Sequence, residues 1–170
     1  MSSASQFGSL VHPSGLLIAS KTISVAAIGI FSGLAISYNA LIMPAIRKVS
    51  VGSALSVWAD TYNVGQHVQV SMIVTSIITG AYVYRKTENA FFLVPPLMMA
   101  SIIPYTLTLL LPINKTLLSI RSKGGNNVEG TRVQELFVKW DTLHFVRTIV
   151  SSTAFVLSLY GAFSGKTKIF

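Results

Sequence analysis

The amino-acid sequence predicts an all-α integral membrane protein, a four-helix bundle with a short interfacial helix between its first and second spans. Three observations lead to this prediction. Hydrophobic residues make up 51% of the 170 residues and charged residues only 11%, whereas a soluble domain usually carries about 25% charged residues. Uncharged stretches recur along the whole chain: Lys21 to Arg47, Asp60 to Arg85, Glu88 to Lys115, and Thr148 to Gly165. Each approaches or exceeds the roughly 18 residues typical of a spanning helix, which argues against a water-soluble enzyme.

The four predicted spans follow these stretches in order. The first begins between residues 16 and 23 and ends at 43, the second covers about 64–84, and the third covers about 91–111. The fourth belongs to a helix that runs from about 131 to 163. Pro44 is expected to end the first span, and Pro112 to disrupt the third, because proline lacks the backbone donor that a helix interior needs.

The segment between the first two spans predicts the interfacial helix. Leu55, Trp58 and Tyr62 recur at helical spacing within residues 49–63, a stretch too short to cross the membrane. Aromatic rings favour the boundary between lipid and water. We therefore expect a short helix that lies in this boundary and is anchored by its rings.

The domain organisation is predicted to be simple. Residues 1–15 form a flexible N-terminus, 16–165 a single four-span transmembrane domain, and 166–170 a basic C-terminal tail, with a flexible glycine-rich loop at 122–130. The absence of cysteine excludes disulfides, thiolate metal ligands and a cysteine nucleophile. Gly29 and Gly33 form a small-xxx-small pattern that suits close helix packing, which leaves a homo-oligomer open.

The net charge of +8 indicates contact with lipid headgroups. Lysine and arginine lie mostly in the short connections and at the ends, where anionic headgroups are met. The expected partners are therefore membrane lipids and not nucleic acid. The protein is predicted to be an integral, multi-pass protein of the endoplasmic reticulum or plasma membrane.

The densest cluster of polar residues opens the fourth span. Trp140, His144, Arg147 and Ser151 fall within about 60° of one another on a helix, and Asp141 lies one turn before His144. Polar groups inside a bilayer are costly and therefore mark candidate sites. An imidazole oriented by a carboxylate and followed by a fixed cation can act as an acid or base. The alternative is that His144 and Arg147 sit at the water boundary, with Arg147 extending to headgroups.

Further polar residues are expected at the same membrane side. The third and fourth helices are consecutive and antiparallel, so Asn114 can meet His144 or Arg147, although it can equally cap a loop. His67 at the start of the second span and Asn39 near the end of the first add to this set. No ligand-spacing signature is present, so no metal or other cofactor is predicted, while copper or iron stays open.

Two motifs give the chain a family resemblance. Pro104-Tyr105-Thr106 with Pro112-x-Asn114-x-x-Leu117, followed by Trp140-x-x-Leu143-His144-x-x-Arg147-Thr148, resembles the anthrone oxygenase-like family of small four-helix membrane proteins. The resemblance implies a monooxygenase of aromatic polyketide biosynthesis, which converts an anthrone to an anthraquinone with dioxygen. It also implies that Asn114, Trp140, His144 and Arg147 belong to the site.

The resulting functional hypothesis assigns roles to eight residues. The expected catalytic residues are His144, Arg147, Asn114 and Asp141, and the expected substrate-binding residues are Trp140, Tyr105, His67 and Asn39. The substrate is an apolar aromatic small molecule, and dioxygen is the second reactant. The alternative is a non-enzymatic membrane bundle that binds lipid or a partner protein, in which the polar stripe only holds the helices together. A transporter is a third option.

Overall fold

Four long helices make up the part of the chain that the computed structural model describes, residues 15–124 and 130–164, and no strand occurs there. The helices are Gly15–Ile46, Val51–Thr87, Ala90–Ser122 and Gly130–Phe163, called the first to fourth helix below. The all-α four-helix prediction is confirmed. The expected flexible N-terminus, most of the glycine-rich loop and the basic tail lie outside the described residues.

Three of these helices, the first, third and fourth, are long and apolar enough to cross a membrane. The protein is accordingly a membrane protein. The second helix is the longest of the four described helices, with 37 residues. Its first half is less apolar than its second half, because Asp60, Gln66 and Gln69 occur there. At 1.5 Å per residue it is about 55 Å long, which exceeds a hydrocarbon core of about 30 Å.

The prediction of a separate interfacial helix is wrong, because residues 51–63 are the first turns of the second helix. The segment is helical as expected, but no proline interrupts it, so the helix continues without a break to Thr87. Leu55 and Trp58 are 1% and 0% exposed. Their side chains pack inside the bundle and do not anchor it at a membrane boundary.

The first and third helices each contain one wide π-helical turn. In the first, Tyr38–Ile42 lies between the α-helices Gly15–Ser37 and Met43–Ile46. In the third, a 3-10 turn, Ala90–Phe92, precedes Val94–Tyr105, and Thr106–Leu110 is the π-turn before Leu111–Ser122.

A proline follows both π-turns and explains them. The N–H of Met43 bonds to the carbonyl of Tyr38, and the N–H of Leu111 bonds to that of Thr106, five residues back in each case. The next residue is Pro44 or Pro112, which cannot donate to the carbonyl four residues back. The wider turn lets the helix continue, so Pro112 disrupts the third helix locally, as expected, without ending it. The first helix likewise continues past Pro44, which was expected to end it, as far as Ile46.

Two hydrophobic cores lie one above the other along the bundle. The connection-end core is nearest the links between the first and second and the third and fourth helices, and includes Tyr38, Leu55, Trp58, Leu110, Leu117, Phe137 and Trp140. The mid-membrane core consists of Ile28, Phe31, Ala35, Ile73, Met99, Ile102 and Ala154. The polar residues of interest lie where these two cores meet.

Candidate functional site

A cavity of about 180 Å³ lies between the second, third and fourth helices, with Tyr38 of the first helix in its wall. Its apolar lining comes mainly from the second and third helices, and includes Val70, Ile73, Ile102, Ile103, Leu107 and Leu111. Its polar lining includes Gln69, Thr106, Asn114, Trp140, His144 and Arg147. The π-turns position three of the lining residues: Tyr38 and Thr106 are the first residues of these turns, and Leu107 follows Thr106.

His144 is almost fully buried, at 1% exposed, and the first helix holds its ring. Its Nδ1 lies 3.1 Å from Oδ1 of Asn39. Thr148 donates to the same Oδ1 at 2.6 Å. Trp140, one turn earlier, stacks on the imidazole with ring centroids 4.6 Å apart, and Tyr38 packs against it at 5.3 Å. The ring is therefore fixed by a hydrogen bond and by two aromatic neighbours.

The surroundings of Asn39 determine which nitrogen of His144 carries the proton. Asn39 Nδ2 donates to the carbonyl oxygen of Asp141 at 3.0 Å and to its carboxylate Oδ1 at 2.6 Å. Both partners only accept, so the amide oxygen of Asn39 must face His144. An amide oxygen also only accepts, so Nδ1 of His144 donates to it. In a neutral imidazole, Nε2 is then the atom with the free lone pair.

Asp141 reaches His144 only through Asn39. The sequence predicted a direct bond between the carboxylate and the ring, and this prediction is wrong. The carboxylate instead accepts from Asn39 and from Nη2 of Arg47, at 2.7 Å. The Asp141 carboxylate therefore takes its hydrogen bonds from two side chains of the first helix and not from the imidazole one turn along its own helix.

Arg147 is a cation without a carboxylate partner among the described residues. Its Nη2 donates to Oε1 of Gln69 at 2.6 Å, and its guanidinium lies 5.5 Å from the ring centroid of Phe31. Its Nε is buried and has no hydrogen-bond partner in residues 15–124 and 130–164. The same holds for Oγ1 of Thr106, another residue of the cavity wall.

Asn114 also lies at the cavity but meets a different partner from the one expected. It was expected to contact His144 or Arg147. Instead its Oδ1 accepts from Nε1 of Trp140 at 2.7 Å. Because Trp140 stacks on His144, Asn114 supports the imidazole indirectly.

Four of the eight expected site residues lie outside the cavity wall: Asn39 and Asp141, which lie behind the His144 ring, and His67 and Tyr105. His67 is exposed on the second helix, because the inward face of that helix carries Gln66 and Gln69 and a residue next to Gln66 points about 100° away. Tyr105 uses its hydroxyl to donate to the carbonyl of Leu143 at 3.0 Å, which ties the third helix to the fourth. The expectation that His67 and Tyr105 line the site is not met.

Sequence reasoning assigned no role in the site to several wall residues, among them Tyr38, Gln69 and Thr106. Gln69 and Thr106 are polar residues inside long apolar stretches, a signal that could have drawn attention to them. Tyr38 gave no comparable signal. Its hydroxyl lies 2.7 Å from where a Cβ on Gly65 would be, so its position depends on the absence of a side chain in the neighbouring helix.

The residues present do not form an evident metal site. No group of three or more histidine, aspartate or glutamate side chains lies close enough to hold a metal ion in the described parts of the chain. His144 is the only imidazole in the cavity wall, and Asp141 is already bound by Arg47 and Asn39.

Comparison with known proteins identifies the family. The model of the anthrone oxygenase family matches residues 58–157, more than half of the chain. The chain belongs to the anthrone oxygenase family. Its relatives include the anthrone oxygenase AgnL2 of Paecilomyces divaricatus, 25% identical over 76% of this chain and 87% of the relative. An anthrone oxygenase of Claviceps purpurea (strain 20.1) is 24% identical over 84% of this chain and 88% of the relative. No solved structure matches the chain.

The part of the chain that matches the anthrone oxygenase family contains most of the residues of the cavity wall. Residues 58–157 include Gln69, Thr106, Asn114, His144 and Arg147, so the second, third and fourth helices supply their site residues from within the matched part. Asn39 and Tyr38, which hold the His144 ring, belong to the first helix and precede the matched residues 58–157. The matched part thus contains the polar wall residues of the second, third and fourth helices, while the residues that support the His144 ring from the first helix lie outside it.

Proposed function

We propose that the protein is an oxygenase that acts on an aromatic polyketide such as an anthrone, which it converts to an anthraquinone with dioxygen. One observation carries the proposal: a largely apolar cavity whose wall holds His144, with no hydrogen-bond partner for its Nε2 among the described residues, and Arg147, a cation with no carboxylate partner there. A bundle held together only by its polar residues would instead have these groups paired across a filled junction.

His144 is proposed to act as the base of the first step. An anthrone has a CH₂ group activated by two aromatic rings and a carbonyl, and removal of one proton leaves an electron-rich enolate. Nε2 of His144 would take this proton, since Nδ1 is held by Asn39. Asp141 supports the resulting imidazolium through the Asn39 amide, which makes Asn39 and Asp141 positioning residues.

Arg147 is proposed to stabilise the oxyanion of the enolate. Its Nη2 is held by Gln69, while its Nε has no hydrogen-bond partner among the described residues. A preorganised cation stabilises developing charge strongly. The hydroxyl of Thr106 has no partner among the described residues and can donate to the same oxygen.

The remaining steps belong to the substrate and dioxygen. The enolate gives one electron to dioxygen, and the carbon radical and superoxide combine to form a C–O bond. Protonation gives a hydroperoxide, which loses water as its remaining C–H proton is removed and becomes the quinone carbonyl. One dioxygen is consumed, one of its atoms enters the product, and the other leaves as water. No electron from a metal or flavin is needed.

The membrane arrangement is part of the proposal. We propose that all four helices cross the bilayer, because the second helix packs extensively along the first and also against the third, both of which are long and apolar enough to span it. A multi-pass arrangement in the endoplasmic reticulum or plasma membrane would place the site in the leaflet near the connection end, where an apolar substrate is concentrated.

The test is an aerobic assay of detergent-purified protein with an anthrone, together with elemental analysis. We expect turnover without stoichiometric metal, and a loss of about 10²–10⁴-fold in His144→Ala, the usual contribution of a general base. His67→Ala is the matched control, because this histidine is exposed and lies outside the cavity wall. Stoichiometric copper or iron that is required for turnover would overturn the base mechanism. A folded protein with neither metal nor turnover would favour the non-enzymatic bundle.

A further inference from the structure

The most exposed residues of the cavity wall are all apolar, and they mark the mouth of the cavity. Three residues of the cavity wall are exposed: Val70, Ile103 and Leu107, at 54%, 38% and 57%. All other wall residues are buried or half-buried. Val70 belongs to the second helix and Ile103 and Leu107 to the third, so the opening lies between these two helices.

The depth of the mouth places it against lipid. Leu107 is eight residues before Lys115, and Val70 is ten residues after Asp60, which corresponds to about 12 Å and 15 Å along their helices. Towards the other end, the next charged residue of the second helix is Arg85, about 22 Å from Val70, and the third helix has no charged residue between its start at Ala90 and Leu107, a length of about 25 Å. A hydrocarbon core of about 30 Å therefore covers the mouth when the charged ends lie at its surfaces.

We propose that the cavity opens sideways into the bilayer, and that its ligand, a flat uncharged aromatic molecule dissolved in the lipid, enters between the second and third helices past Val70, Ile103 and Leu107. The ligand class rests on the proposed function, whereas the opening follows from the exposed residues alone. Polar groups are confined to the inner wall, where they orient a ligand that has already left the lipid.

The cavity has a suitable size and wall for such a ligand. Its volume is about 180 Å³, and apolar cavities of about 150 Å³ hold a benzene ring. One or two rings of a fused aromatic system can therefore lie inside while the rest occupies the mouth. Contact with aliphatic side chains on both helices, Val70 on one and Leu107 on the other, suits a flat ring system.

The first test measures whether the mouth of the cavity faces lipid or water. The chain contains no cysteine, so a single nitroxide label can be attached at Leu107→Cys. Leu97→Cys is a matched control, because Leu97 is also 57% exposed on the third helix but lies outside the cavity wall. In liposomes, we expect label 107 to collide with dissolved oxygen and to be protected from a water-soluble nickel chelate, as label 97 is. Nickel access at 107 that exceeds access at 97 would overturn the proposal.

The second test adds anthraquinone, which is stable and needs no turnover. We expect it to quench the fluorescence of Trp140 in a Trp58→Phe background and to immobilise label 107 but not label 97. Quenching of Trp140 without any change at 107 would mean that the ligand enters elsewhere. Absence of quenching would mean that the cavity takes no such ligand. Either result would overturn the proposal, whereas absent oxygenase activity would leave it standing.

The third test narrows the mouth. Leu107→Trp should slow the association of anthraquinone by about tenfold, within the range over which association rates vary among variants of one site. Leu97→Trp should leave the rate unchanged, because its ring points into lipid away from the opening. Equal rates in the two variants, with both proteins folded, would show that the ligand does not pass Leu107.

Discussion

The connection-end core and the mid-membrane core are built from different kinds of contact. In the first, large rings dominate: Trp58 stacks on Tyr62 at 5.2 Å and meets Trp140 edge-on at 6.1 Å. Around the second, small residues let the helices approach closely. Ser32 and Ser152 share a hydrogen bond of 3.0 Å, and a Cβ on Gly29 would lie 2.7 Å from the ring of Phe155.

The difference reflects the two solvents around the bundle. Near the connection end the helices carry charged residues, and water drives the burial of aromatic rings. Within the bilayer, lipid is as apolar as the protein interior, so close packing and hydrogen bonds hold the helices together. The cavity lies where one kind of packing gives way to the other, and the two π-turns occur at this level. Large rings on one side and short side chains on the other leave space between them.

The largest expected effect compares equivalent truncations in the two cores. Leu117→Ala in the connection-end core should lower the free energy of unfolding by about 2–5 kcal/mol, the usual cost for a buried leucine. Met99→Ala in the mid-membrane core should cost less, because a side chain that leaves the core there enters lipid and not water. Both side chains are 0% exposed. Equilibrium unfolding in lipid bicelles measures the difference, and equal costs would remove the distinction between the cores.

A substitution at Asn39 tests whether the hydrogen bond from the first helix to His144 matters for turnover. Asn39→Leu removes the acceptor of His144 and the donor to Asp141, so the imidazole loses its orientation. We expect turnover of an anthrone to fall by about 10²-fold, as small misplacements of catalytic groups do. Ser37→Ala is the control, because its hydroxyl bonds only to the carbonyl of Leu34 in its own helix. Unchanged turnover in folded Asn39→Leu would contradict the assigned support.

Gly65 tests how tightly the cavity wall is packed. Gly65→Ala would place a Cβ 2.7 Å from the hydroxyl of Tyr38, and the resulting overpacking should cost about 1–3 kcal/mol of stability and shift the tyrosine. Gly52→Ala in the same helix meets nothing within 4 Å, so it should stabilise the helix by about 0.5–1 kcal/mol. The two variants are expected to change the unfolding temperature in opposite directions. A stabilising Gly65→Ala would show that Tyr38 is free to move.

The smallest effect is expected for the surface of the connection end. Asp60 accepts from Arg121 at 2.8 Å, and the two side chains are 67% and 35% exposed. Asp60→Asn should therefore change the free energy of unfolding by no more than about 1 kcal/mol, as for other exposed ion pairs. Added salt should lower the stability of the wild type towards that of the variant. A loss of several kcal/mol would mean that the charged surface, and not its aromatic core, holds this end together.

The helices themselves could be predicted from the sequence because charge and hydropathy alone determine where a span can lie. The uncharged stretches located all four helices, and the start near residue 130 and the end at 163 of the fourth agree with the structure. The length of the second helix could not be predicted in this way. Residues 51–63 were expected to form a separate helix because Asp60 interrupts the apolar stretch, but they continue the second helix and pack on the third and fourth helices through Leu55 and Trp58.

The candidate site was only partly predictable, because its contacts cross between helices. The stripe of Trp140, His144 and Arg147 could be read from spacing within one helix. The hydrogen-bond partner of His144 could not be predicted in this way. The partner is Asn39 of the first helix, and which residues of two helices face each other depends on how both helices are rotated about their axes. Gln69 and His67 illustrate the same limit: one residue bonds to Arg147 and the other faces outwards, although they are only two positions apart.

The central claim is that His144, held by Asn39, removes a proton from the substrate before dioxygen takes part. The most direct measurement is exchange of the anthrone methylene hydrogens with deuterated water in the absence of oxygen. The wild type should accelerate the exchange, His144→Ala should return it to the protein-free rate, and Asn39→Leu should lie between them. Exchange as fast in folded His144→Ala as in the wild type would contradict the claim.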